Sequence, residues 1–205
     1  PELTSVAEDP TVRSELGFKS DSLLLVHAGN IGLMHRIHDL IDAVGSVAQL
    51  NVEMAVTGGG TGFANAEKYA REKSITNIKF LGYVDSEVFT RLLQSADIGA
   101  TTLINGMERL SMPSRSLTYM SAGLSIFSIM SNKSDVGELV VEGQCGWVAE
   151  STEVAVEILE RLAVSRSEVI TMSGTAFVEY GRRFARDTGI GNFARVISGS
   201  VEPKL

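Results

Sequence analysis

The stretch VHAGNIGLMHRIHDLI, Val26 to Ile41, decides how the rest of the chain is read. An apolar run that starts at Leu23 stops at Gly29. Helical spacing follows, with Ile37, Leu40, Ile41 and Val44 on one face. A buried strand feeding a helix through a short glycine-bearing turn opens a βαβ unit. The turn holds Gly29, Asn30, Gly32 and His35. Glycine lets backbone approach a ligand closely. A helix starting near His35 would also aim free N–H groups and its positive dipole end at the same place. That combination suits a phosphate, and it equally suits a tight turn packed for its own sake. The spacing is not G-x-G-x-x-G, so nothing here points to a dinucleotide cofactor.

The same alternation continues along the chain. Strands are predicted at Leu23 to Ala28, Val52 to Val56, Ile78 to Leu81, Ile98 to Leu103, Leu124 to Ile129 and Gly146 to Ala149. Helices are predicted around Ala64 to Lys73, after Asp85, around Leu117 to Met120, after Ser134 and from Val154 to Val164. Asp85 and Ser151 are predicted N-caps. The stretch from Val169 to Ile197 reads as helical throughout. Repeated strand–helix units imply a parallel sheet covered on both faces. The fold class is therefore α/β, a single doubly wound Rossmann-like domain with a parallel sheet of about six strands. The domain takes in residues 1–205, with 165–205 as a helical tail.

Composition narrows the function classes. Hydrophobic residues make up 44% and charged residues 21% of the 205 residues, the balance of a chain with one sizeable core. The net charge is −7, which argues against nucleic acid as a partner. Cys145 is the only cysteine, so no disulfide framework or thiol metal cluster exists, in keeping with a reducing, cytoplasmic setting. His35 and His38 lie three residues apart without a Cys or carboxylate cluster, and a zinc site is rejected. No run reaches the roughly 18 apolar residues that a membrane span needs. The N-terminal PELTSVAEDP has no signal-peptide core.

In a parallel α/β sheet, ligands bind beyond the carboxyl ends of the strands, which selects the loops to read. The second loop, T-G-G-G-T-G, presents Gly58, Gly59 and Gly60. Its amides can serve a phosphate, or its glycines can serve the turn alone. No G-K-[ST] follows, so it is not a Walker A loop. The fourth, N-G-M-E-R-L-S-M-P-S-R-S, carries Glu108, Arg109 and Arg115. A carboxylate can hold a hydroxyl pair, and an arginine can hold a diphosphate bidentately. A solvated charged loop is the alternative. No Ser-His-Asp set or paired general acid and base is visible, so any chemistry would be electrostatic stabilisation of a leaving group.

Taken in order, AGNIGLMH, VTGGG, IKFLGYVDSEVFTRLLQSADIG, GMERLSMPSRSLTYMSAGLSIFSI and SDVGELVVEGQCGWVAES resemble the C-terminal, donor-binding half of a GT-B glycosyltransferase. The family is glycosyltransferase family 4, the Glycos_transf_1 domain. The resemblance runs from about Leu23 to Glu150, and MPSR-x-L-x-YMSAG is its most specific phrase. That phrase is similar to the subgroup that builds bacterial surface polysaccharides. The resemblance implies transfer of a sugar from a UDP- or GDP-sugar to an acceptor, retaining and metal-independent, with no further cofactor. It implies that Gly29 to Gly32 approach the diphosphate and sugar, that Gly58 to Gly60 support the phosphates, and that the Tyr83–Val84 backbone meets the nucleobase. Glu108 matches the first glutamate of the E-x7-E motif, so the resemblance implies that it faces the donor sugar. It implies too that Ser111, Met112, Pro113, Ser114 and Arg115 line the diphosphate. Glu108 and Arg115 are thus the catalytic candidates.

Three positions depart from the family pattern. Asn30 and His35 stand where relatives carry Arg and Lys. Thr118 stands where many carry the second, ribose-binding glutamate, two residues further from Glu108 than usual. If His35 must be protonated to hold the donor, affinity falls as pH rises through the histidine range near 6.5. Thr118 motivates an alternative, a catalytically inactive nucleotide-binding or interaction module. A nucleotide-sugar epimerase of the same fold is another. The resemblance further implies a separate N-terminal acceptor domain, absent from this chain, onto which the tail docks. Through that domain the whole protein would reach a lipid-linked acceptor, peripherally at the inner face of the plasma membrane. The isolated domain is expected to be inactive.

Overall fold

The computed structural model describes residues 10–104, 106, 114–185, 188 and 190. A short helix that the sequence did not announce, α1 (Pro10–Glu15), precedes the alternation. Then come β1 (Leu23–Asn30), α2 (Ile37–Ser46), β2 (Val52–Gly59), α3 (Phe63–Glu72), β3 (Ile78–Gly82), α4 (Ser86–Ser95) and β4 (Ile98–Thr102). The second half holds α5 (Ser114–Ser121), β5 (Ser125–Ile129), α6 (Asp135–Glu142), β6 (Gly146–Ala149), α7 (Thr152–Val164) and α8 (Arg166–Arg183). The strands form one sheet in the order β3-β2-β1-β4-β5-β6, every neighbouring pair parallel. This is the doubly wound order, with its switch point between β1 and β4.

Why the apolar strand runs are continuous is visible in β1. Leu23 and Leu25 face one buried layer, with Leu40, Ile41 and Val44 of α2 and Leu159 of α7. Leu24, Val26 and Ala28 face the other, with Leu92 and Leu93 of α4, Tyr119 of α5 and Val140 of α6. Both faces are dry, so both must be apolar. The two predicted caps form, and Ser134 caps α6 as well. The Asp85 carboxylate accepts from Val88 N at 2.8 Å, and the Ser134 hydroxyl accepts from Gly137 N at 3.0 Å. Ser151 accepts from Val154 N at 3.4 Å.

Several boundaries differ from expectation. β1 and β2 run on to Asn30 and Gly59, through the pairs Gly29↔Gly58 and Asn30↔Gly59. Glycine permits this closeness: a Cβ on Gly58, at φ +113°, would sit 2.2 Å from the Gly29 carbonyl oxygen. α2 starts at Ile37 rather than near His35, with Arg36 at its N-cap donating to Asp39 and to the Glu150 carbonyl. The predicted tail helix starts earlier, at Arg166, and α8 closes at Phe184. Among the described residues no helix is long and apolar enough to cross a membrane.

Candidate functional site at the strand switch point

β1 and β4 pair only through Leu25↔Ile98 and Val26↔Gly99, then part. Parting strands strand their backbone groups, and buried N–H and C=O groups need partners. Three side chains supply them. The Ala28 amide donates to the Tyr119 hydroxyl at 2.7 Å. His27 Nδ1 lies 3.0 Å from the Ala100 carbonyl, and His35 Nδ1 lies 3.1 Å from the Thr102 carbonyl. A carbonyl can only accept, so both imidazoles carry their proton on Nδ1. The Tyr119 ring reaches this place because residue 99 is glycine; a Cβ there would stand 2.3 Å from the ring.

The opening is a pocket of about 350 Å³. β1 and its loop contribute His27, Gly29, Asn30 and His35 to its wall, β4 contributes Thr101 and Thr102, and α5 contributes Ser114 and Arg115. Burial, with a smaller effect from the nearby His35, lowers the pKa of His27 to about 4 against its bond to Ala100, so this imidazole is neutral at pH 7. Burial also holds the Tyr119 phenol far above its ordinary pKa, although the Ala28 amide and Arg115 pull the other way. The hydroxyls of Thr101 and Thr102 are buried without a protein partner. Ser114 and Arg115 stand at the rim on the first described turn of α5. Arg115 is exposed, and its guanidinium lies over the Phe89 ring of α4, 5.2 Å from the centroid. A cation without an ion pair among the described residues and a polar wall of Asn30, Thr101, Thr102 and Ser114 together fit an oxygen-rich anion. They can also take up negative charge that grows on it.

The structure thus brings Gly29, Asn30, His35, Ser114 and Arg115 together around one pocket. Gly58, Gly59 and Gly60 stand behind that wall and do not line it. Gly58 backs onto Gly29, a Cβ on Gly60 would meet the Asn30 side chain and the Ile31 carbonyl, and the Tyr83 ring lies over Gly59. Ile31 N donates to the Gly59 carbonyl at 2.7 Å. These glycines therefore have a steric reason, to let the second loop brace the first. Tyr83 is 84% exposed, Val84 and Gly32 are half-buried, and Thr118 is half-buried one turn along α5 from Arg115. Glu108, Ser111, Met112 and Pro113, with Arg109, lie outside the described residues. Reading the sequence missed His27, Thr101, Thr102, Tyr119 and Phe89. His27 did leave a signal, as the one ionisable residue inside LLLVHA; Tyr119 read as plain helix core.

Comparison with known proteins agrees with this geometry. Residues 8–171 match the family described as glycosyl transferases group 1. The probable glycosyltransferase WbjE of Pseudomonas aeruginosa is 24% identical over 119 residues, covering 58% of this chain and 30% of that protein. The putative colanic acid biosynthesis glycosyl transferase WcaI of Escherichia coli strain K12 is 21% identical over 133 residues, covering 65% and 33%. The chain spans about a third of the length of these curated relatives. Anabaena Alr3699/HepE, crystallised in complex with UDP, superposes with a TM-score of 0.80 at 18% identity, over 96% of this chain and 54% of that one. The C-terminal domain of LpcC, a glycosyl transferase group 1 family protein of Francisella tularensis, does so at 0.70 and 12% identity, over 87% and 94%. The structural likenesses establish the fold, that of a GT-B C-terminal domain. The family match covers most of the chain and every described element of the pocket, and the chain belongs to the group 1 glycosyl transferases.

Proposed function

We propose that this domain holds the nucleoside-diphosphate sugar in a retaining, metal-independent glycosyl transfer. The diphosphate lies in the crevice between β1 and β4. The observation that carries this is Arg115 on the wall of the pocket, its guanidinium without an ion pair among the described residues. As the bond between the sugar and the diphosphate breaks, negative charge grows on the departing nucleoside diphosphate. Arg115 takes it up. The acceptor hydroxyl attacks from the face that the leaving group vacates. Residues 1–205 act as one donor-binding unit, and a second domain supplies the acceptor, so this chain alone binds donor without transferring sugar. Bacterial surface polysaccharide is the product class that the family resemblance and the relatives' names favour.

A neighbour of the same fold holds UDP, which makes UDP the first ligand to try. Titration calorimetry of this chain with UDP, GDP and their sugars is expected to give saturable heat from at least one. Silence from all of them sinks the proposal. Thr118, with a hydroxyl where relatives carry the ribose-binding carboxylate, favours a second reading, a module that binds nucleotide but transfers nothing. Sugar transfer by the longer protein, abolished by Glu108→Ala without unfolding, would exclude that reading.

A further inference from the structure

Arg115 brings a fixed charge to the pocket, yet among the described residues no carboxylate holds it. Among the described residues it makes neither an ion pair nor a hydrogen bond to the protein. Left to itself, a long side chain on the first turn of a helix samples many rotamers, and ordering it on binding weakens affinity. Two contacts restrict it here. The Phe89 ring of α4 lies under the guanidinium, 5.2 Å from centroid to Cζ. On another side the stem runs along Gly29, where a Cβ would touch Arg115 Cγ at 3.5 Å. Phe89 is itself fixed, packed against the buried layer that contains Leu92, Leu93 and Tyr119.

We propose that Phe89 is a positioning residue for the donor diphosphate, its ring face holding the Arg115 guanidinium at the rim with every N–H free for the anion. This rests on the reading that the pocket binds a nucleoside diphosphate. A carboxylate in the place of Phe89 would fix the arginine as firmly. It would also occupy the N–H donors, cancel the charge and repel the diphosphate. An aromatic face attracts the cation without doing any of these, because guanidinium N–H bonds lie in the plane of the group.

Calorimetry with UDP and GDP on four variants tests the role. Phe89→Leu keeps the apolar packing and loses the ring, and is expected to weaken binding about three- to tenfold. Phe89→Tyr keeps the ring and is expected to bind within about twofold of the parent. In an Arg115→Ala background, Phe89→Leu should have no further effect. The Arg115 Nε–H resonance should also move in Phe89→Leu, because the ring current above the cation is gone. Phe89→Met carries the same expectation should the leucine variant fail to fold. Parent-like binding by Phe89→Leu, or equal weakening with and without Arg115, overturns the positioning role alone. Failure of the parent protein to bind UDP, GDP or any of their sugars overturns the proposed function, and this inference with it.

Discussion

The junction of β1 and β4 has two ends, and the fold treats arginine in opposite ways at each. At the amino end, Arg13 of α1 and Arg166 of α8 both reach Asp97 Oδ2, at 3.1 and 3.3 Å. The same carboxylate oxygen accepts from Leu24 N at 2.7 Å. Arg13 also donates to the Ser95 and Ser22 carbonyls, and Arg166 donates to the Asp21 carbonyl. The carboxyl end has Arg115 on an aromatic ring, two idle hydroxyls and two imidazoles whose Nδ1 protons are committed to backbone. Cavities at the two ends are nearly equal, about 340 and 350 Å³. Volume therefore does not tell a site from a seam. Saturation does: one end has spent its donors on the protein, and the other keeps them for something else.

The largest expected effect tests the saturated end. Asp97→Ala leaves two arginines and one strand amide without their acceptor, and should lower stability by about 3 kcal/mol in urea unfolding. UDP affinity should stay as it was; a parallel loss of affinity would mean the two ends are not separate.

Next comes the acid response of the open end. Native His27 stays neutral down to about pH 4, whereas an unfolded histidine takes up its proton near pH 6.5. The unfolded chain thus binds more protons in that window, and stability falls as the pH drops through it, by about 3 kcal/mol in full. His27→Gln can still donate to the Ala100 carbonyl and has nothing to protonate. Urea curves at about pH 7 and about pH 4.5 should show a smaller acid loss for the variant. Equal losses would remove His27 from the account.

Arg115→Ala contrasts with Asp97→Ala. It should cost about a hundredfold in UDP affinity, near 2.7 kcal/mol by the affinity scale, and leave the urea midpoint unchanged. A shifted midpoint with intact binding would make Arg115 a structural arginine after all. The smallest effect belongs to His35. Its Nδ1 proton is held by Thr102, so a neutral ring offers the pocket only the Nε2 lone pair, and protonation turns Nε2 into a donor. His35→Ala should weaken UDP binding by about two- to threefold at a fixed pH. Unchanged binding by that variant would return His35 to its bond with Thr102 alone.

Particular residues show how far sequence reading reached. Asp85, Ser134 and Ser151 were legible because a cap bonds an amide three residues on. Arg115 and His35 were reached through family order, and the structure sets both on one pocket. The Gly58–Gly60 run looked like a second phosphate loop, because a glycine needed for a ligand and one needed for a neighbouring backbone are spelled alike. In the structure the run closes against the Gly29 carbonyl and the Ile31 segment. Tyr119 looked like any core aromatic, since its partner Ala28 lies 91 residues away.

The sequence by itself determined the six strands, most helix boundaries and the parallel class of the sheet. Those follow from short-range patterns, since a strand dry on both faces must be apolar throughout and helix ends need local caps. Only the tertiary structure decided where β1 leaves β4, which side chains repair the parted backbone, and that Arg115 rests on Phe89 rather than on a carboxylate. Each of these depends on which strand lies beside which, and on contacts between residues far apart in the chain, where no periodicity reaches.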